Sequence, residues 1–173
     1  MSLRHFHPKR FAILGVAIGL GAVLLLAGTA AGAAQREVSP EPDTAWHEGA
    51  AGFTGAFERA RDDGQPVLIY FYTDWCGYCR QLESKLLERP EVEDYTQYLV
   101  KIRINPEHGP DEQLLARQYG VSGYPAVFVH AAVTERPKRI ARMVVEGGKR
   151  RLMTPEEFVD TLSKASGETA GAS

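Results

Sequence analysis

The sequence predicts an α/β domain, on three observations. Val67 to Tyr72 is an unbroken apolar run, rich in β-branched and aromatic residues and preceded by Pro66, as in a buried strand. Val100, Ile102 and Ile104 alternate with Lys101 and Arg103, the period of two of a strand. Helical periods stand between the strands: Phe53, Ala56, Phe57 and Ala60 recur at i, i+3, i+4, i+7, and Leu82 and Leu86 recur among Arg80, Glu83, Lys85 and Glu88. The predicted order is α, β, α, β, α, β, β, α, and periodicity alone gives only the α/β class.

In chain order, Met1 to Arg10 is basic and Phe11 to Ala34 carries no charge. Residues 1–34 read as a signal peptide or an N-terminal membrane anchor. The basic start and Ala31-Gly32-Ala33 favour cleavage near Ala33 or Ala34, while the apolar run is nearly long enough to span a bilayer. Either alternative exports the remainder of the chain to the periplasmic or extracytoplasmic side, by the positive-inside rule. Residues 35–45, with Pro40 and Pro42, read as a linker.

The domain is expected over 46–165. Its first helix ends near Gly64, and the second ends at Pro90, which has no N–H to continue it. Glu91 to Tyr98 adds a helical turn or two. A loop over Asn105 to Pro110 precedes a helix over Asp111 to Tyr119, stopped by Gly120. Ala126 to Val129 and Arg139 to Glu146 read as a hairpin, the second strand ended by Gly147-Gly148. Thr154-Pro155-Glu156-Glu157 is a capping box with proline at the first helical position, opening a last helix on Phe158, Val159, Leu162 and Ala165. Residues 166–173 read as a frayed tail.

The 173 residues include only two cysteines, Cys76 and Cys79, so there is no disulfide framework. Net charge is −2, and beyond residue 34 the balance is 17 basic against 22 acidic residues, which does not suggest a nucleic-acid partner.

Cys76-Gly77-Tyr78-Cys79 sits where the first strand ends and a helix begins. There the free backbone N–H groups and the helix dipole stabilise a thiolate and lower its pKa below about 8.5. Cys76 is placed as the nucleophile. Cys79, one turn later, is placed to attack the sulfur that Cys76 has engaged. A zinc site is the competing reading, but structural zinc takes four ligands and no second C-x-x-C or H-x-x-x-H exists; no metal or cofactor is expected. Strand alternation sets Leu68, Tyr70 and Tyr72 on one face and Val67, Ile69 and Phe71 on the other.

Trp75-Cys76-Gly77-Tyr78-Cys79 after a buried strand resembles the thioredoxin superfamily. Val121-Ser122-Gly123-Tyr124-Pro125-Ala126-Val127-Phe128-Val129 is similar to the family's cis-proline segment, and Pro125 lies 46 residues beyond Cys79. Phe71 to Cys76 looks most like the exported branch, which includes the C-terminal domain of the disulfide reductase DsbD. The resemblance implies a thioredoxin fold, a central mixed β-sheet flanked by helices on both faces, and thiol–disulfide exchange with protein disulfide or dithiol substrates. It also implies an upstream thiol–disulfide redox partner, which in that branch can be membrane-bound. Trp75, Gly77, Tyr78, Tyr124 and Pro125 would border the substrate. Gly77-Tyr78 resembles the Gly-Tyr of the disulfide isomerase DsbC rather than the Gly-Pro of thioredoxins. Lys101 falls where many thioredoxins place a lysine near the cysteines, although an outward strand lysine has the same pattern.

Six residues before the first cysteine the family carries a buried aspartate that helps the second thiol lose its proton. Here that position is Tyr70. A phenol is a poor base near neutral pH, so Cys79 is expected to lose its proton to solvent or another group. The expected activity is protein-disulfide reduction. The alternatives are a disulfide oxidase or isomerase, or a metal-delivery factor using the thiols as soft ligands.

Overall fold

The computed structural model describes residues 42–131 and 136–167. The expected signal or anchor segment lies outside them, as do most of the linker and the end of the tail. The strands are β1 (Trp46–Glu48), β2 (Val67–Phe71), β3 (Val100–Ile104), β4 (Ala126–His130), β5 (Lys138–Ile140), β6 (Met143–Glu146) and β7 (Lys149–Leu152). The helices are α1 (Gly49–Asp63), α2 (Gly77–Leu82), α3 (Pro90–Thr96), α4 (Pro110–Gln118) and α5 (Pro155–Ser166). A π-helical turn over Glu83–Leu87 extends α2.

Five strands form one sheet in the order β1-β3-β2-β4-β5. β1 and β2 run parallel to β3, β4 is antiparallel to β2, and β5 is antiparallel to β4. Helices cover both faces, and the architecture is the thioredoxin fold. β2 is buried along its whole length, which is why it reads as a continuous apolar run. Its two faces divide as the alternation predicts. Leu68 and Tyr70 join a core with both cysteines, Leu82, Leu86 and, from α5, Phe158 and Leu162. Val67, Ile69 and Phe71 join a second core with Ala56 and Ala60 of α1, Ala116 of α4 and the apolar residues of β3.

The helix ends follow local chemistry. Gly64 closes α1 in the left-handed conformation at φ 68°, which only glycine adopts without a Cβ penalty. Glu112 of α4 accepts a hydrogen bond from the Ala50 N–H at the start of α1, a cap that local pattern does not reveal. Pro90 does more than break a helix: it opens α3 at its first position. The capping box of α5 is present. Thr154 Oγ1 accepts from Glu157 N–H at 3.3 Å, and Glu157 Oε2 accepts from Thr154 N–H at 2.9 Å.

Several expectations are corrected. The single strand over Arg139 to Glu146 is two strands. β5 completes the main sheet, while β6 pairs only with β7 in a separate antiparallel ribbon. Gly147-Gly148 ends β6, as expected, and also turns the chain back into β7. Both residues have positive φ, 56° and 77°, as a tight two-residue hairpin loop requires. The expected hairpin pairing with Ala126 to Val129 is made by β5, antiparallel to β4, and residues 132–135 of the connection lie outside the described residues. β1 is a strand that the sequence pattern does not predict. Asp43 and Thr44, within the expected linker, are fastened to the domain: Asp43 N–H donates to the Gln97 carbonyl at 2.8 Å, and Lys101 Nζ donates to the Thr44 carbonyl at 3.0 Å. Ser166, within the expected tail, is the last residue of α5, and its hydroxyl hydrogen-bonds with the Tyr95 hydroxyl at 2.7 Å.

The register decides what meets at one end of the sheet. Phe71 at the end of β2 pairs with Ala126 at the start of β4, and Val127 pairs with Ile140 at the end of β5. The cysteine motif, the Tyr124-Pro125 segment and the base of the β6–β7 ribbon thus leave the sheet together.

Candidate active site

Cys76 and Cys79 are joined by a disulfide, with Cα atoms 5.2 Å apart. Cys76 is the N-cap of α2, and its Sγ accepts a hydrogen bond from the Cys79 N–H at 3.0 Å. The Cys76 carbonyl accepts from Arg80 N–H at 3.2 Å, and Cys76 N–H donates to the Thr73 carbonyl at 3.1 Å. The sulfur therefore rests on the free donors of a helix start, where negative charge is favoured. Both cysteines are nearly closed off, Cys79 at 1% exposure and Cys76 at 4%. Thr73 Oγ1 is buried with no hydrogen-bond partner among the described residues; nothing in the structure explains it.

Two aromatic side chains flank this covered pair. Trp75 is 67% exposed and Tyr78 is 69% exposed. A core role for Trp75 is thereby excluded. Its indole N–H donates to both carboxylate oxygens of Glu107, at 3.0 and 3.1 Å. Gly77 opens α2 beside open space, where a Cβ would meet only the Arg80 guanidinium, at 3.8 Å. The peptide bond between Tyr124 and Pro125 is cis. Tyr124 packs against both cores, and burial, with the Glu107 charge, pushes its phenol pKa up. From the ribbon side, Arg142 donates to the Pro125 carbonyl at 3.5 Å.

The loop after β3 supplies residues that sequence reasoning missed. Besides Glu107, His108 Nε2 lies 3.1 Å from Asp74 Oδ2 and 3.0 Å from Asn105 Nδ2. These contacts tie the loop to the segment just before Cys76. No local pattern announces them; they follow from the parallel pairing of β3 with β2, which sets the two strand ends side by side.

Beneath the cysteines, Tyr70 shares their core but does not aim its hydroxyl at them. It donates to Glu83 Oε1 at 2.9 Å. Burial first, then the Glu83 charge and this bond, raises its pKa far above the usual phenol value. The phenol keeps its proton well above neutral pH and is a poor base there. Lys101 is neither outward nor free. It is 5% exposed, burial lowers its pKa, and its ammonium caps the Thr44 carbonyl beside the Trp46 ring. Among the described residues no group of three or more His, Cys, Asp or Glu could hold a metal ion.

Comparison with known proteins places this domain in a family. The family described as a thioredoxin-like domain matches residues 53–165. The chain belongs to it. It is 35% identical over 66 residues to the thiol:disulfide interchange protein DsbD of Neisseria meningitidis, a match covering 38% of this chain and 11% of that protein. It is 32% identical over 76 residues to the thioredoxin of Griffithsia pacifica, covering 44% of this chain and 65% of the relative. This thioredoxin-like chain thus spans only about a tenth of the DsbD relative. Among solved structures, the oxidised C-terminal domain of Neisseria meningitidis DsbD superposes with a TM-score of 0.53 at 23% identity, over 70% of this chain and 99% of that domain. At that identity the likeness carries the fold alone.

Proposed function

We propose that this chain is an exported thiol–disulfide oxidoreductase that reduces protein disulfides through Cys76 and Cys79. The observation that carries the reading is the bonded pair itself: Cys76 on the first free donors of α2, Cys79 buried one turn inside, Trp75 and Tyr78 exposed around them. The names of the relatives, a disulfide interchange protein and a thioredoxin, support it.

The reaction starts from the reduced pair. The Cys76 thiolate attacks one sulfur of a substrate disulfide, forming a mixed disulfide and releasing the other sulfur as a thiolate. Cys79 loses its proton and attacks Cys76 Sγ. The second substrate sulfur leaves and takes up a proton, and the Cys76–Cys79 disulfide of the structure is formed. Two electrons have passed to the substrate. An upstream dithiol returns the pair to the reduced state by the reverse exchange. Donation from the Cys79 N–H to Cys76 Sγ stabilises the attacking thiolate. Trp75, Tyr78, Gly77, Tyr124 and Pro125 surround the entering sulfur as the substrate-binding surface.

Two cysteine variants test the assignment. Cys79→Ser is expected to accumulate mixed disulfides through Cys76, because release needs the second thiol, and Cys76→Ser is expected to trap nothing. Equal trapping by both overturns the roles. Export rests on the charge-free run Phe11 to Ala34 behind a basic start. A phosphatase fused after Glu48 is expected to be active; an inactive phosphatase together with a bright cytoplasmic reporter at the same site overturns it. Among the described residues no helix is long and apolar enough to cross a membrane.

A further inference from the structure

Taking the redox reading above as its basis, we propose that the β6–β7 ribbon is a docking arm for an acidic polypeptide segment of the disulfide-bearing partner. The ribbon stands apart from the five-stranded sheet and pairs only with itself. It nonetheless begins at the redox end. The chain leaves β5 at Ile140 and reaches Arg142, whose guanidinium donates to the Pro125 carbonyl, and Met153 N–H returns to the Arg142 carbonyl at 2.9 Å to close the base. Val144 and Leu152 pack against the core that holds both cysteines. Arg151 braces the ribbon against α5, bonding Glu146 at 2.6 Å and Glu157 of α5 at 2.7 and 2.8 Å. The arm is thus held firmly at its foot, beside the cis-proline segment.

Its charge is one-sided. Arg136, Lys138, Arg139, Arg142, Lys149, Arg150 and Arg151 fall within 136–151, against Glu146 alone. Arg151 is paired, Lys138 caps the Ala165 carbonyl, and Arg142 holds Pro125. Arg136, Lys149 and Arg150 are exposed, and their side chains make no ion pair or hydrogen bond among the described residues. Lys149 and Arg150 follow the Gly147-Gly148 turn at the tip, and Arg150 pairs with Val145, an apolar residue left 71% exposed. An apolar residue among free cations suits a peptide with carboxylates around it better than a bare polyanion.

The opposite edge of the sheet has the opposite character. A cleft of about 580 Å³ beside β1 is lined by Glu83, Glu88, Glu93 and Asp94 together with Lys101 and Arg103. Free positive charge therefore stands at the β5 edge and a surplus of negative charge at the β1 edge, with the cysteines at the end between them. Such a field turns an acidic partner toward the ribbon and Pro125 as it approaches.

The test uses the full chain and the double variant Lys149→Glu with Arg150→Glu, neither residue belonging to the redox machinery. The probes are a Glu-rich peptide with an internal disulfide, its counterpart with Gln for every Glu, and a disulfide-free Glu-rich peptide read by fluorescence anisotropy. At low salt the wild type is expected to reduce the Glu-rich peptide with a kcat/KM about fivefold or more above the Gln peptide. At about 1 M salt, where screening acts within roughly 3 Å, that preference disappears. The variant is expected to lose the preference and the anisotropy signal while reducing the Gln peptide as well as the wild type does. The neutral pair Lys149→Gln with Arg150→Gln falls between. Equal wild-type rates on both peptides, or a preference that the variant keeps, overturns the proposal. So does binding to phosphatidylserine vesicles or to a single-stranded oligonucleotide that the variant loses while its peptide preference stands. If neither peptide is reduced, the redox reading fails, and anisotropy with the disulfide-free peptide still decides whether the ribbon binds acidic chains.

Discussion

Tyr70→Phe isolates one hydrogen bond at the centre of the domain. The ring stays, so its edge contact with Trp46 at 6.2 Å and its stacking on Tyr72 at 5.5 Å are retained. What is lost is the hydroxyl donating to Glu83 Oε1. Glu83 is partly exposed, so its carboxylate recovers water, which puts the loss at about 1–2 kcal/mol at pH 7. That corresponds to about 3–8 °C in Tm for a domain of this size. The pH dependence is more diagnostic. Folding raises the Tyr70 pKa, so the stability it contributes is fully present below the unfolded value of about 10 and is lost as pH rises above it. In that range the unfolded chain releases a proton that the folded chain keeps, and wild-type stability falls by about 1.4 kcal/mol per pH unit on this account. The variant lacks this slope. Tyr119, also raised by burial, adds the same slope to both proteins and cancels in the difference. The two stability curves should therefore meet near pH 11, read by urea unfolding from pH 7 to about 11.5. A gap that stays constant across that range refutes the burial of a protonated phenol against Glu83. The same variant bears on mechanism. Since the phenol is turned to Glu83 and keeps its proton, release of a preformed Cys76 mixed disulfide should match wild type within about twofold from pH 6 to 9. In both proteins release should rise with pH across that range, because the thiolate is the attacking form. Fast release that is flat with pH means that another base serves Cys79.

Thr154→Ala should lower stability by about 1 kcal/mol in urea unfolding, since it removes the acceptor for the Glu157 N–H at the start of α5. Folding lowers the Glu157 pKa to about 2, through its bond to Arg151 and then the Thr154 N–H, so its contribution is present above the unfolded value near 4.5 and lost as pH falls through about 2; acid unfolding of Glu157→Gln should lack that component. Trp75→Ala should change stability by less than about 0.5 kcal/mol because the indole is largely exposed, while lowering kcat/KM for protein disulfides; unchanged turnover removes Trp75 from the binding surface. Leu86→Ala should cost about 2–5 kcal/mol, because Leu86 is wholly buried in the core that carries the cysteines.

By itself the sequence determined what depends on neighbours along the chain. The β2 run, the division of its faces, the C-x-x-C at a strand–helix junction, the left-handed stop at Gly64 and the capping box at Thr154 all arise within a few residues of backbone geometry. Tyr124-Pro125 was legible for a different reason, as a segment resembling a known family. Tertiary structure decided the rest, because the deciding partner lies far off in sequence. β1 is three residues with no strand pattern, and it exists through backbone pairing with β3, more than fifty positions on. β7 is mostly charged, and it is a strand because two positive-φ glycines fold it back on β6. Alternation places Tyr70 on the correct face but does not name the partner of its hydroxyl, since Glu83 comes back to it only when the helix after Cys79 docks on the sheet. Glu107 reaches Trp75 through strand register alone. Periodicity specifies which side a residue faces; only packing specifies what it meets there.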